Sequence, residues 1–315
     1  MIRVDIEGKI ICWWSGGITS AVACKITIDL YGKDRCVVVM IDTKNEDEDT
    51  YRFKQDCEKW YGLPIKRISG IWEPEDTDCE WIDLGYKPKD IEDVWDKHTS
   101  LNVAHGAICS SELKRKVREK WQAKNPFSYQ VFGFEFDKKE MNRALGLAKN
   151  HSSCKPIFPL LMLGYNKKDC LEIVEQAGIT VPRAYTMGYH NNNCLLKKCI
   201  QGGVGYWQKV EREDKESFDR MAAKEHELTD KKGRPVTMLK DQSNAAKATV
   251  KETGLTWKSF VFLKKHPDYP EIKCLADMPP CKVEPLMECN GFCGTNDLTK
   301  RSETEKQINF DDTII

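Results

Sequence analysis

Lys9-Ile10-Ile11-Cys12-Trp13-Trp14-Ser15-Gly16-Gly17-Ile18-Thr19-Ser20 is the stretch on which the fold turns. After Lys9, Ile10 to Trp14 is an unbroken apolar run, as expected of a strand buried on both faces. Ser15-Gly16-Gly17 breaks the run, and Val22, Ile26 and Leu30 then recur at helical spacing until Gly32 stops them. A strand that enters Ser-Gly-Gly and leaves as a helix forms an anion cradle. The glycines let backbone N–H groups turn inward, and the helix contributes the positive end of its dipole. Ser15, Thr19 and Ser20 add hydroxyls suited to phosphate oxygens. No Gly-Lys-Ser/Thr follows, so this is not a Walker A loop.

Outward from that stretch the same rhythm continues. Cys36-Val37-Val38-Val39-Met40-Ile41 predicts a second buried strand ending at Asp42. A helix is expected from about Asp49 to Tyr61, and Ile65-Lys66-Arg67-Ile68 is a short third strand. Alternating strands and helices imply an α/β fold with a doubly wound parallel sheet. Residues 70–107 show no strong periodicity and read as an insertion over the sheet edge. A basic helix is expected over Ser111 to Trp121 and a strand over Tyr129 to Phe134. Lys167 to Ala177 predicts a helix capped by Asn166, and 209–228 a single charged helix. The divisions expected are 1–210 for the nucleotide-binding domain, 211–298 for a helical module with a small Cys-rich C-terminal part, and 299–315 for a polar tail.

Composition bounds the function class. The 315 residues hold 49 Lys plus Arg against 49 Asp plus Glu, so net charge says nothing about nucleic acid. Apolar residues make up 40%, enough for a packed core, and no apolar run is long enough to span a bilayer. No membrane partner is expected. The first residues alternate charge with apolar side chains, unlike a signal peptide, so a cytoplasmic location is the expectation. Fourteen cysteines without an export signal point to metal binding, thiol chemistry or burial rather than a disulfide framework. Cys12, Cys24, Cys36, Cys57 and Cys170 fall on strand or helix faces and are expected in the core. Cys194 and Cys199, with Cys289 and Cys293, form two close pairs in loops rich in Asn, Gly and Lys. Four such thiolates suit Zn²⁺ or an iron–sulfur cluster. Burial and a thiol–disulfide redox pair are the alternatives. The six histidines show no metal-ligand spacing, and His105 and His190 are expected to be structural.

Ser15, Gly16, Gly17 and Ser20 resemble the Ser-Gly-Gly-x-Asp-Ser signature of the PP-loop (N-type ATP pyrophosphatase) family, whose fold is adenine nucleotide alpha hydrolase-like. Thr19 stands where that family usually has Asp, which removes a metal or ammonium contact. Cys109-Ser110-Ser111-Glu112-Leu113-Lys114 looks like a segment of the phosphoadenosine-phosphosulfate reductase-like branch. Phe132-Gly133-Phe134-Glu135 with Arg143 is similar to the family's next strand. Asn191-Asn192-Asn193-Cys194 with Gly202-Gly203-Val204-Gly205-Tyr206-Trp207 continues the likeness, though Cys194 and Cys199 are spaced wider than Cys-x-x-Cys. The resemblance covers roughly residues 8 to 210.

The resemblance implies an adenine-nucleotide site built by Ser15, Gly16, Gly17, Thr19 and Ser20. Asp42 would accept a ribose hydroxyl, unless it is a loop or capping acid. Gly133 would let the ligand approach the strand end. Lys114 would bind phosphate or sulfate, and Cys109 or Cys289 would contact substrate. Arg115, Lys116, Arg118 and Lys120 read as a solvated helix face.

Three functions stay open. The first is an ATP-dependent enzyme, with Mg²⁺ on the phosphates, that adenylates an acceptor, releases pyrophosphate and serves sulfur transfer. Its partners would be a nucleic-acid acceptor or a sulfur-donor protein. The second is a phosphoadenosine-phosphosulfate or adenylyl-sulfate reductase working through thiols. The third is a nucleotide-binding protein without chemistry.

Overall fold

The computed structural model describes residues 7–103, 106–192 and 194–286. In chain order its main elements are β1 (Ile10–Trp13), α1 (Ile18–Tyr31), β2 (Cys36–Ile41), α2 (Glu48–Tyr61), β3 (Ile65–Ser69), β4 (Cys79–Trp81) and α3 (Ile91–His98). A two-residue hairpin pair, β5 (Asn102–Val103) and β6 (Gly106–Ala107), leads into a π-helical stretch, Ser110–Lys116, that continues as α4 (Val117–Lys124). Then come β7 (Tyr129–Val131), α5 (Lys138–Asn150), β8 (Pro156–Ile157), α6 (Pro159–Leu163), α7 (Lys167–Gln176) and α8 (Arg183–Thr186). The C-terminal part holds α9 (Val204–Glu213), α10 (Lys215–Lys232), β9 (Leu239–Lys240), α11 (Asn244–Thr253), β10 (Phe260–Phe262) and β11 (Lys273–Cys274).

The main sheet has six strands in the order β4-β3-β2-β1-β7-β8, and every pairing is parallel. The expected α/β parallel sheet is therefore present. The chain runs outward from β1 through β2 and β3 to β4, then returns to place β7 on the other side of β1. Strand order reverses between β1 and β7, and the crevice at the carboxyl ends there is where such sheets bind ligands.

Both faces of the sheet are covered. Ile10 and Cys12 pack with α1, α2 and α7 residues such as Val22, Phe53 and Val174. Ile11 and Trp13 face the opposite way, against Val117, Trp121 and Leu147. The side chains of β1 alternate between two apolar layers, so the strand is apolar at every position. Cys12, Cys24, Cys36, Cys57 and Cys170 are all buried, as expected. A third apolar cluster joins Val94 and Trp95 of α3 to Tyr206, Trp207, Phe218 and Met221, and so spans α3, α9 and α10.

Three sequence expectations are corrected. Residues 70–107 do not merely lie over the sheet edge: β4 joins the sheet, pairing with β3 from Arg67–Cys79 to Ser69–Trp81. Three residues are too few to register as an alternating pattern. The helix expected over 209–228 is two helices broken at Asp214. The Asp214 N–H closes α9 on the Val210 carbonyl at 2.8 Å, and its carboxylate caps α10 by accepting from Ser217 N at 3.1 Å. Arg118 is not on a solvated face. It is buried, bonds Gln122 Oε1 at 2.7 Å, and burial lowers its pKa to about 10. Asn166 does cap α7, within a full capping box with Asp169. The C-terminal segment contributes β10 and β11 to a three-stranded sheet with β9.

Candidate nucleotide and thiol site

The loop 15–20 leaves the carboxyl end of β1 and enters α1 with Gly17 at the cap. Gly16 takes φ of +87°, a left-handed conformation that costs an L side chain energy, and a Cβ there would stand 3.0 Å from Thr50 Cγ2. Ser20 holds the loop closed. Its hydroxyl donates to the Gly17 carbonyl at 2.8 Å and accepts from Ser15 N at 3.1 Å and Ser15 Oγ at 3.0 Å. The Ser20 proton is thus used to shape the loop. The Ile18 N–H, at the first turn of α1, donates to the Tyr185 hydroxyl at 3.2 Å. That oxygen sits where the helix end offers its dipole to an acceptor.

Asn192, from the Asn-Asn-Asn-Cys stretch, fixes the loop from outside. Its Nδ2 donates to the Gly16 carbonyl and to Thr50 Oγ1, both at 2.9 Å. It is buried, so both bonds form away from water.

A cleft of about 530 Å³ opens beside this loop, within the usual range for a small-molecule site. Thr19 and Gly133 form one wall, and Asn191, His190 and Glu284 are on the others. Gly133 has a second reason to be glycine, because a Cβ would lie 2.6 Å from Ser20 N and Ser20 Cα. Its missing side chain makes room for the backbone that opens α1. The lysines of this cleft are Lys139, Lys167 and Lys168; Lys114 does not line it. The C-terminal segment Glu284-Pro285-Leu286 reaches the cleft, held by a hydrogen bond from His190 Nε2 to the Val283 carbonyl at 2.9 Å. A sequence pattern offers no sign that residue 284 returns to the first βα loop.

Asp42 is fully buried at the end of β2. Arg67 donates to its Oδ2 through Nε at 3.1 Å and Nη2 at 2.8 Å, and the Tyr51 hydroxyl and the Lys44 N–H donate to Oδ1 at 3.0 and 2.8 Å. These four hydrogen bonds make Asp42 an acid that orders the chain after β2. Burial and the Asp42 charge push the Tyr51 hydroxyl far above its ordinary pKa, so it stays a donor.

Beyond Asp42 the chain enters a second, smaller cavity. Thr43, Asn45, Trp95, Cys109, Ser110, Lys114, Cys194 and Cys199 are among its lining residues. Cys109, Cys194 and Cys199 are thus brought to one place. Cys289 and Cys293 lie outside the described residues, as do His105 and the whole of the tail 299–315. The Cys194 thiol is 3.6 Å from Thr43 Oγ1 and donates weakly to Glu46 Oε1 at 3.8 Å. Thr43 also donates to Glu46 Oε1 at 3.0 Å, and Lys114 Nζ is 3.9 Å from the same oxygen. Burial raises the Glu46 pKa, partly opposed by the Lys114 charge. Lys114 stands on the π-helical stretch, a rare geometry often found at functional sites. Cys199 follows Lys198, whose φ of 63° is left-handed, and the Cys199 N–H donates to the Tyr206 hydroxyl at 3.1 Å.

The two cavities are joined through the chain itself. His190 and Asn191 line the cleft, Asn192 bonds the glycine loop, and Cys194 lines the thiol cavity. Two residues span at most about 7 Å of chain. Exposed Cys281 lies apart, on a third depression of about 670 Å³ beside Gly202 and Gly203.

No helix among the described residues is long and apolar enough to cross a membrane. No protein-family model matches the chain, and no curated protein does either. Among solved structures, the U34-tRNA thiolase NcsA from Methanococcus maripaludis, determined with its 4Fe–4S cluster, aligns over 72% of this chain and 73% of its own. The identity is 13% and the TM-score 0.36.

Proposed function

We propose that this protein is a PP-loop enzyme, of the phosphoadenosine-phosphosulfate reductase-like branch, that binds ATP and transfers the adenylyl group to an acceptor. Pyrophosphate leaves, and the activated acceptor then takes sulfur. The observation that carries this reading is the path from Asn192 to Cys194, which ties a phosphate-cradling loop to a cluster of thiols. Backbone N–H groups of the glycine loop, other than those of Ser15 and Ile18, hold the phosphates at the start of α1. Lys139, Lys167 and Lys168 add positive charge along the cleft. Glu284 and Glu135, the latter 3.5 Å from Lys167 Nζ, are carboxylates on the same cleft that would meet a Mg²⁺ ion carried on the triphosphate. The acceptor class we favour is nucleic acid, with a separate protein as sulfur donor.

Cys109, Cys194 and Cys199 have the soft-donor chemistry for a thiophilic metal group. Such a group, when bound, would hold sulfur in transit. The residues themselves contribute elsewhere: Lys114 places a cation against Glu46, and Asn192 fixes the spacing between loop and thiols. A sulfonucleotide reductase would draw on the same thiols with a different nucleotide.

Calorimetric titration of anaerobically purified protein with ATP plus Mg²⁺, and separately with phosphoadenosine phosphosulfate, separates these readings. We expect clear preference for ATP. Preference for the sulfated nucleotide would transfer the assignment to the reductase. Gly16→Ala should weaken ATP binding at least tenfold, because the left-handed turn that aims the N–H groups is strained by a Cβ. Unchanged affinity in that variant removes the loop from the site.

A further inference from the structure

His266 follows β10 in the chain, and only 1% of its surface is exposed. Aromatic neighbours clamp its ring: Phe262, His226 and Tyr269 stand 5.3, 4.5 and 5.2 Å away, centroid to centroid. His226 is itself anchored, its Nε2–H donating to the Lys264 carbonyl at 3.1 Å. The His266 ring is thus held in place, yet its Nε2 has no hydrogen-bond partner among the described residues. A buried ring nitrogen left unmade is costly, so a ligand is expected at that atom.

Two carboxylates converge on it. Asp230, in the last turn of α10, brings Oδ1 to 3.3 Å from Nε2, close enough for an ion pair but not aligned as a hydrogen bond. Asp268 completes a group in which one ligand atom from each residue lies within 4.8 Å of the others. No Lys or Arg among the described residues forms an ion pair with either carboxylate. Asp230 also faces the negative end of the α10 dipole, where a cation is favoured and a lone carboxylate is not. Nitrogen and oxygen ligands about 2.0–2.1 Å from one tetrahedral Zn²⁺ stand roughly 3.3 Å apart. Two acids and an imidazole at that spacing suit a divalent cation, and the imidazole favours zinc over calcium or magnesium. Sequence spacing conceals the set, since Asp230 lies on α10 and the other two beyond β9, α11 and β10.

We propose that Asp230, His266 and Asp268 bind a zinc-like divalent ion, with water completing its coordination, and that the ion ties the end of α10 to the loop leaving β10. The site shares no residue with the glycine loop or the thiol cavity, so its failure would leave the nucleotide reading untouched. Binding takes Nε2 as a ligand and leaves the ring's one proton on Nδ1. The Asp268 N–H, which donates to Nδ1 at 3.2 Å, then turns aside as the Asp268 carboxylate comes onto the ion.

The test is anaerobic Co²⁺ titration of the metal-free full chain, compared with Asp230→Asn and Asp268→Asn. Both carboxylates are exposed, so neither substitution repacks a core. Cobalt reports its ligands: nitrogen and oxygen give weak visible bands, and thiolates add strong near-ultraviolet charge transfer. Each substitution should remove about one cobalt per chain, with its visible bands, and leave any thiolate charge transfer unchanged. Zn²⁺ should raise the melting temperature of the wild type by about 2–4 °C more than that of either variant. In the wild type, nitrogen NMR should show the His266 ring proton moving from Nε2 to Nδ1 as Zn²⁺ is added. Equal cobalt in all three proteins overturns the site. Thiolate charge transfer lost in the variants assigns the ion to cysteines and overturns it too. Variants that lose stability equally in chelator and in Zn²⁺, with cobalt retained, reduce the cluster to a His–Asp pair without an ion. A His266 ring unmoved by Zn²⁺ overturns its ligation, whatever the variants do.

Discussion

Asn192 does two jobs with one amide group. Its Nδ2 satisfies the Gly16 carbonyl and Thr50 Oγ1 inside the protein, and its backbone sets where Cys194 begins. Asn192→Ala should leave those acceptors buried and unmade, at a cost of about 1–3 kcal/mol. A lower melting temperature with ATP affinity reduced several-fold is the expected pair of results. A stability loss with no change in affinity would make Asn192 structural only. The motif containing Asn192 was legible in the sequence, but its role was not, because which carbonyl an amide reaches depends on a contact 176 residues away. Asp42 shows the reverse. A carboxylate at a strand end invites a ligand role, yet Arg67 and Tyr51, both off β2, take up its oxygens.

At the scale of elements, the placement of α1 against β7 is set by a single missing side chain. Gly133 allows the α1 backbone at Ser20 to approach the strand end, with the Cβ position only 2.6 Å from Ser20 N. Gly133→Ala should force the backbone apart, destabilising the fold by about 1–3 kcal/mol and tilting the loop 15–20. The two effects are read by denaturant unfolding and by ATP titration, and a variant with wild-type values for both would show that the helix start yields freely. Long elements such as α1, α2 and β2 were predicted because each carries its own periodicity. β4 was not, because three residues at a sheet edge depend on β3 for their conformation. The break at Asp214 was missed for a related reason: charged residues on both sides keep a helical pattern, and capping geometry, not composition, ends the first helix.

Across the whole molecule, α10 is linked to the small sheet by one buried acid. Glu225 accepts from Met238 N and Leu263 N, each at 2.7 Å, next to β9 and β10. Burial raises its pKa from 4.5 to about 8, against the pull of those two N–H groups. Between these values the folded chain holds a proton that the unfolded chain releases. Stability should therefore fall as pH rises from about 4.5 to about 8, with no contribution to the slope below or above that window. Glu225→Gln should flatten this slope. It should also lower stability below about pH 4.5 by about 1–3 kcal/mol, since one amide N–H must then face a backbone N–H, and this deficit should shrink as pH rises through the window. Thermal melts across that pH range check both, and an equally steep slope in the variant would assign the dependence to another group.

The sequence by itself determined the parallel sheet, the glycine loop and the burial of five cysteines, since these follow from local pattern: apolar runs, a Ser-Gly-Gly break and helical spacing. Tertiary structure decided which cysteines meet. Cys194 and Cys199 are near neighbours in the chain, but Cys109 joins them only because the stretch leading into α4 packs against the 194–199 loop beside α3. It also decided that Lys114 faces Glu46 and that Glu284 returns to the cleft beside the glycine loop. Such meetings depend on the packing of elements distant in sequence, and no single stretch of chain records them.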